Sequence, residues 1–138
     1  RKKPVWIFMR DEKALDALNS DGLIKSLDDP DGTGNSKNQQ PAYVTSNFRS
    51  IKNKESVAVI VGVCTHLGCS PTYRPEPGAA DLGGDSWKGG FYCPCHGSKF
   101  DLAGRVYAGV PAPTNLVIPP YRYVSDSLIR IGVDPEIT

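Results

Sequence analysis

The chain has few of the residues that usually bind metals, since its 138 positions include only two histidines and four cysteines. It also lacks the run of about 18 apolar residues that a membrane-spanning helix needs. No signal peptide is visible. An excess of charge is missing as well, because 16 basic and 15 acidic residues leave a formal net charge of +1. This balance argues against a nucleic-acid partner, which normally requires a strong positive excess.

The length fits one domain over residues 1–138, with a smaller subdomain inserted in it. The chain begins at Arg1 rather than at a methionine. We therefore expect a processed or truncated piece, with a targeting signal or a membrane anchor in the missing part.

Short apolar segments alternate with clusters of the 14 glycines and 12 prolines. Pro4–Met9 and Ser56–Val63 are predicted strands, the second buried on both faces. Tyr121–Val133 is predicted to be a hairpin that turns at Ser125–Asp126. One helix is predicted over Asp11–Gly22, with Asp11 as its cap and Gly22 at its end. The pattern indicates an all-β, antiparallel sandwich or barrel-like fold with one short helix.

Other segments are predicted to lack regular structure. Asp28–Pro41 contains no large apolar residue, and Ser70–Gly90 is rich in glycine and proline, so both are predicted loops. Gly109–Pro120 is predicted to be a proline-stiffened turn that runs into a strand. Arg105–Tyr107 is a predicted short strand.

All cysteines and histidines lie in two short segments, CTHLGC at Cys64–Cys69 and CPCHGS at Cys93–Ser98. A mononuclear zinc site takes four ligands and leaves two of these six residues unused. Haem attachment needs C-x-x-C-H, and CPCH is one residue too short. A catalytic thiol with a histidine base does not need a second Cys–His pair.

A different partition uses all six residues. The symmetric choice makes Cys64, His66, Cys93 and His96 the metal ligands and leaves Cys69 and Cys95 for a disulfide. Two thiolates and two imidazoles suit a [2Fe–2S] centre with one iron bound by cysteines and the other by histidines. Neutral imidazoles bring the formal charge of the oxidised centre to zero, which favours electron uptake.

The two segments resemble the cluster-binding motifs of Rieske iron–sulfur proteins. The form of these motifs that carries a disulfide is similar to the high-potential branch of the family, which is found in quinol:cytochrome c oxidoreductases, the cytochrome bc1 complexes. The resemblance includes KPVWIFMRDE, GVCTHLGC, CPCHGSKFDLAGRV and GVPAPTNL. It covers Lys3 to Val133 and is weakest over Asp28–Glu55. It implies a bacterial head domain with a sandwich base, residues 1–62 and 107–138, and a cluster-binding subdomain, residues 63–106.

The resemblance also implies a function. One [2Fe–2S] cluster per subunit accepts an electron from quinol, coupled to a proton, and passes it to a c-type cytochrome. His96 is the imidazole nearest the quinol, with Leu67 and Gly68 at the same docking tip. The implied partners are cytochrome b and cytochrome c1. A missing N-terminal anchor would hold the domain on the periplasmic side of the bacterial inner membrane, and the domain alone would be an electron carrier.

Further residues are implied to tune the cluster. Ser98 donates a hydrogen bond to a bridging sulfide, whereas Phe100 stands where mitochondrial relatives have a tyrosine hydroxyl. We therefore expect a lower reduction potential than in a tyrosine-bearing relative. A loop with Gly109, Pro111 and Pro113 forms a rigid cover over the cluster.

Two alternatives stay open. One is a soluble carrier, or the small Rieske subunit of another periplasmic oxidoreductase such as an arsenite oxidase. The genes around the coding sequence would distinguish this from a bc1 subunit. The other is a structural zinc module, which the electron paramagnetic resonance spectrum of the reduced protein would exclude.

Overall fold

The computed structural model describes residues 3–44 and 46–132. Within them the chain forms seven strands and two short helices: β1 (Val5–Met9), α1 (Glu12–Leu18), α2 (Asp21–Lys25), β2 (Val57–Val61), β3 (Thr72–Arg74), β4 (Gly90–Tyr92), β5 (Lys99–Asp101), β6 (Tyr121–Ser125) and β7 (Leu128–Ile131). All pairings are antiparallel, in the three sheets β1–β2, β3–β4–β5 and β6–β7. The predicted all-β antiparallel class is therefore confirmed. None of the helices in these ranges is both long and apolar enough to span a bilayer.

Helix α1 begins as predicted, because the Asp11 carboxylate accepts a hydrogen bond from the Ala14 backbone N–H at 2.8 Å. The prediction that this helix continues to Gly22 is wrong. It ends at Leu18, with Asn19 as its C-cap, and a second helix begins at Asp21 with Gly22 inside it. The break lets Leu18 and Leu23, one from each helix, pack into the same core cluster.

Strand β2 lies at the centre of the main core and leads the chain towards Cys64. Val59 and Ile60 are fully buried, which confirms the predicted burial on both faces. Val61 N–H donates to the Val117 carbonyl at 2.8 Å. The strand predicted within Gly109–Pro120 is nevertheless absent, because two prolines at its end have no N–H to donate to a ladder.

The prediction of Ser70–Gly90 as loop is wrong at both ends, where Thr72–Arg74 forms β3 and Gly90 begins β4. The stretch between contains two short 3-10 turns, Ala80–Leu82 and Gly84–Ser86. Strands of three residues form here because aromatic side chains pair across the sheet: Phe91 lies opposite Tyr73 on one side and Phe100 on the other.

The predicted terminal hairpin is confirmed as β6–β7, although the turn falls at residues 126–127, one residue later than predicted. Val133, the predicted end of this hairpin, lies outside the described residues. The predicted strand at Arg105–Tyr107 is reduced to two isolated bridges, Val106 with Phe100 and Tyr107 with Leu27.

Candidate metal centre

Two loops of similar backbone geometry bring the cysteines and histidines together. We call Cys64–Cys69 and Cys93–Ser98 the cluster loops. Each begins where a sheet ends, after β2 and after β4 respectively. Two equivalent backbone hydrogen bonds close each loop. In the first loop, Cys64 N–H donates to Cys69 O at 2.8 Å and Gly68 N–H donates to Cys64 O at 3.0 Å. In the second loop, Cys93 N–H donates to Ser98 O at 2.8 Å and Gly97 N–H donates to Cys93 O at 2.9 Å.

Both loops turn at a glycine with a positive φ, +83° at Gly68 and +84° at Gly97. Glycine adopts this left-handed conformation without the steric cost that a Cβ would add. The sequence therefore builds two matching turns, each with a cysteine at its start.

The two cysteines at the loop starts, Cys64 and Cys93, are free thiols and each is 2% exposed. Burial raises the pKa of the Cys64 thiol, and a hydrogen bond with Cys93 raises it as well. Hydrogen bonds from the His66 backbone N–H and the Ser98 hydroxyl act in the opposite direction. Both sulfur donors are buried at the starts of neighbouring loops, an arrangement that suits binding of a metal as thiolates.

The two imidazoles are neighbours in the same way as the two thiols. The ring centroids of His66 and His96 are 4.9 Å apart, and the rings are nearly perpendicular at 85°. His66 is half-buried, whereas His96 is exposed. The site therefore combines a buried pair of sulfur donors with a more accessible pair of nitrogen donors.

A disulfide joins Cys69 to Cys95 and so connects the two cluster loops, as the resemblance implies. Both of its sulfur atoms lie within 4.8 Å of the Cys93 sulfur. Since they are bonded to each other, they are not available as thiolate ligands. The disulfide holds the loops together next to the donor atoms.

The donor set fits the cluster that the sequence predicts. Two free buried thiols and two adjacent imidazoles match a [2Fe–2S] centre in which two cysteines bind one iron and two histidines bind the other. By donor chemistry alone, the same four residues would also suit zinc. The family to which the chain belongs separates these two interpretations.

Ser98 connects this site to the loop Gly109–Pro113, which we call the proline loop. The buried Ser98 hydroxyl lies close enough to Cys64 to lower the pKa of that thiol, and its oxygen accepts a hydrogen bond from the Ala112 backbone N–H at 2.9 Å. A second connection runs from Thr65 Oγ1 to the Thr114 carbonyl at 2.7 Å. Thr65, Ala112 and Thr114 were not predicted from the sequence, where the only available signal was the hydroxyl beside Cys64.

The remaining predicted site residues occupy two kinds of position. Phe100 is fully buried in the core, where it faces Phe91 across β4–β5. Leu67 is 69% exposed at the tip of its loop, beside the exposed Gly68. Gly109, Pro111 and Pro113 are exposed on the proline loop. The roles assigned to these residues stay predictions.

Known proteins share this arrangement of motifs. Residues 30–122 match the family described as the Rieske [2Fe-2S] domain. A ubiquinol-cytochrome c reductase iron-sulfur subunit of Allochromatium vinosum is 56% identical over 134 residues, 97% of this chain and 61% of the relative. The Rieske-3 subunit of the mitochondrial cytochrome b-c1 complex of tobacco is 41% identical over 132 residues, 96% of this chain and 39% of the relative.

One solved structure is also similar, that of a cyanobacterial plasma membrane Rieske protein from Synechocystis. It is 29% identical with a TM-score of 0.40, covering 57% of this chain and 67% of that protein. The chain spans less than two thirds of the length of these curated relatives, 61% of the first and 39% of the second.

Proposed function

Because the chain belongs to the Rieske [2Fe–2S] domain family, we propose that it is the electron-transfer head of the iron–sulfur subunit of a ubiquinol–cytochrome c reductase. Members of this family bind a [2Fe–2S] cluster, and we assign its four ligands to Cys64, His66, Cys93 and His96. One observation supports this choice best: two free, buried thiols and two touching imidazoles meet at loops joined by a disulfide.

The cluster supplies uptake and release of one electron at high potential. Cys64 and Cys93 keep the sulfur side of the site away from water, since both are buried. His96 is exposed, so with one ring nitrogen holding iron the other would be open to solvent and to a hydrogen bond with a quinol hydroxyl. The disulfide and the proline loop keep both cluster loops in place during this exchange.

The exposed tip of the first cluster loop is the proposed docking surface for quinol and cytochrome b. Leu67 follows His66 and exposes 69% of its side chain area. A large apolar side chain held out to solvent on a rigid loop suits insertion into an apolar pocket of a partner. We propose cytochrome c1 as the electron acceptor and the periplasmic side of the bacterial inner membrane as the location, with an N-terminal anchor in the full-length protein.

We also propose a division into a base, residues 1–62 and 107–138, and a cluster-binding subdomain, residues 63–106. The sheet β3–β4–β5 and both cluster loops lie inside the second range, whereas β1, β2, β6 and β7 lie outside it. The division stays a proposal that this distribution of elements supports.

The docking proposal is tested with Leu67→Ala in the full-length subunit within its membrane complex. We expect quinol:cytochrome c reductase activity to fall about tenfold, because an anchoring apolar contact is lost. The cluster potential should stay unchanged. Met9→Ala is the matched control, since Met9 is 70% exposed on β1, away from the cluster loops.

Equal activity in the two variants would contradict the docking role.

The identity of the complex is tested separately, by purification of the full-length subunit from membranes. Cytochrome b and cytochrome c1 should co-purify with it, and co-purification with a different oxidoreductase would overturn the proposed function.

A further inference from the structure

Gln39 lies in the polar loop Asp28–Pro41, far in sequence from both cluster loops. Its side-chain Nε2 donates to Thr114 Oγ1 at 3.1 Å and to the Asn115 carbonyl at 3.0 Å. Its backbone carbonyl accepts a hydrogen bond from Ile118 N–H at 2.8 Å. One residue therefore binds, at three points, the segment that leaves the proline loop.

The polar loop is itself well anchored. The fully buried Ser36 hydroxyl accepts a hydrogen bond from Asn115 N–H at 2.8 Å, and Asn115 Nδ2 donates to the Asp29 carbonyl at 3.2 Å. The Asp29 carboxylate accepts hydrogen bonds from the backbone N–H groups of Gly34 and Ser36. Gln39 thus projects from a fixed backbone and can hold its partner in place.

Thr114, the partner of Gln39, lies next to the metal centre. Its carbonyl accepts the hydrogen bond from Thr65, the residue that follows Cys64. Two positions before Thr114, the Ala112 N–H donates to the side-chain oxygen of Ser98, which belongs to the second cluster loop. Contacts made by Gln39 therefore continue to both cluster loops through the proline loop.

We propose that Gln39 is a positioning residue for the [2Fe–2S] site. By holding Thr114 it fixes the proline loop against both cluster loops, through Thr65 and Ala112, and keeps the Ser98 hydroxyl in place at the site. Hydrogen bonds to ligand sulfur favour the reduced cluster and raise its potential. Loss of the Gln39 contacts loosens the segment around Ala112 and lowers the potential. The inference depends on the proposed electron-transfer function only for the biological purpose of the potential that Gln39 would adjust.

The test uses the cluster-loaded protein with Gln39→Ala and Gln39→Glu. The glutamate keeps the size of the side chain but has no N–H to donate to the Asn115 carbonyl. Hydrogen–deuterium exchange of the peptide that contains Ala112 should accelerate about tenfold. The reduction potential should fall in both variants. Asn38→Ala, at an exposed neighbour on the same loop, is the control and should change neither quantity.

A second variant, Thr114→Val, removes the hydroxyl acceptor and keeps the carbonyl that binds Thr65. It should shift the potential in the same direction, and combining it with Gln39→Ala should add little further change. A lower unfolding temperature with an unchanged potential would reduce Gln39 to a structural role and overturn the inference. So would exchange rates equal to those of Asn38→Ala. Either failure leaves the docking experiment on Leu67 unaffected.

Discussion

At the scale of single residues, Ser98 connects the metal centre to the proline loop. Its hydroxyl lowers the pKa of the Cys64 thiol, while its oxygen accepts a hydrogen bond from the Ala112 N–H at 2.9 Å. The residue is 1% exposed, so both interactions are shielded from water. One side chain thus influences the charge on a ligand and the position of the proline loop.

Ser98→Ala should lower the reduction potential, because a hydrogen bond that stabilises the reduced state is lost. It should also destabilise the fold by about 1–3 kcal/mol, since the Ala112 N–H is left without its acceptor. Voltammetry and thermal unfolding measure the two effects. Ser70→Ala is the control at an exposed serine after the first cluster loop, and matching behaviour of both variants would contradict this role for Ser98.

A second single residue, Gly62, lies two positions before Cys64. A Cβ added here would overlap the indole ring of Trp6, whose ring stacks on Phe91 with centroids 5.0 Å apart. The glycine therefore permits the close contact between the backbone after β2 and the stacked rings of Trp6 and Phe91.

Gly62→Ala should destabilise the protein by about 1–3 kcal/mol, because Trp6 must move out of its stack. Denaturant unfolding measures the loss. Gly22→Ala provides the comparison, since an added Cβ there meets nothing within 4 Å and alanine suits a helix better than glycine. If Gly62→Ala were as stable as Gly22→Ala, the packing argument would be wrong.

At the scale of structural elements, the two cluster loops act as a pair. Each is closed by its own backbone hydrogen bonds, and the Cys69–Cys95 disulfide joins them across a sequence separation of 26 residues. With the proposed ligands, a bound cluster would join the two loops a second time. The disulfide therefore matters most for the protein before it has received its cluster.

The double variant Cys69→Ser with Cys95→Ser tests this. Without the cluster it should lose about 3 kcal/mol of stability, the loop-entropy figure for a ring of this size. With the cluster bound the loss should be smaller, because the metal still constrains the same loops. Urea unfolding of both forms measures the difference. Equal losses in the two forms would show that cluster and disulfide do not share this constraint.

The all-β class was predictable from the sequence, whereas several element boundaries and the contacts around the proposed site were not. The four proposed metal ligands fall in two segments of six residues, so local spacing is enough to group them. Strands β3, β4 and β5 have three residues each, too short to show a hydrophobic period. The contacts of Gln39 and Ala112 involve backbone or amide groups that any sequence offers, and they form only through tertiary packing.

At the scale of the whole molecule, buried charge joins distant parts of the chain at the turn 101–105. Arg10 donates to the Leu102 carbonyl at 3.0 Å and Arg49 to the Ala103 carbonyl at 2.9 Å. Arg105 forms a fully buried ion pair with Asp101 at 2.7 Å. Burial lowers the pKa of Arg10 and of Arg49 to about 10, and the Asp101 charge opposes this shift.

Asp101→Asn should destabilise the protein by about 3–5 kcal/mol, because Arg105 would stay buried without its counter-ion. Urea unfolding of the cluster-loaded protein measures the loss. The control is Asp81→Asn, which breaks an exposed ion pair with Arg74 and should have little effect on unfolding. A loss for Asp101→Asn no larger than for the control would show that the turn does not depend on its buried anion.

For the protein as a whole, we propose that Cys64, His66, Cys93 and His96 together hold one [2Fe–2S] cluster. Electron–nuclear double resonance of the dithionite-reduced protein tests it most directly. We expect one unpaired spin per chain with hyperfine coupling to two imidazole nitrogens, one of which disappears in His66→Cys. A reduced protein that shows no spin signal, or a signal without nitrogen coupling, would contradict the account.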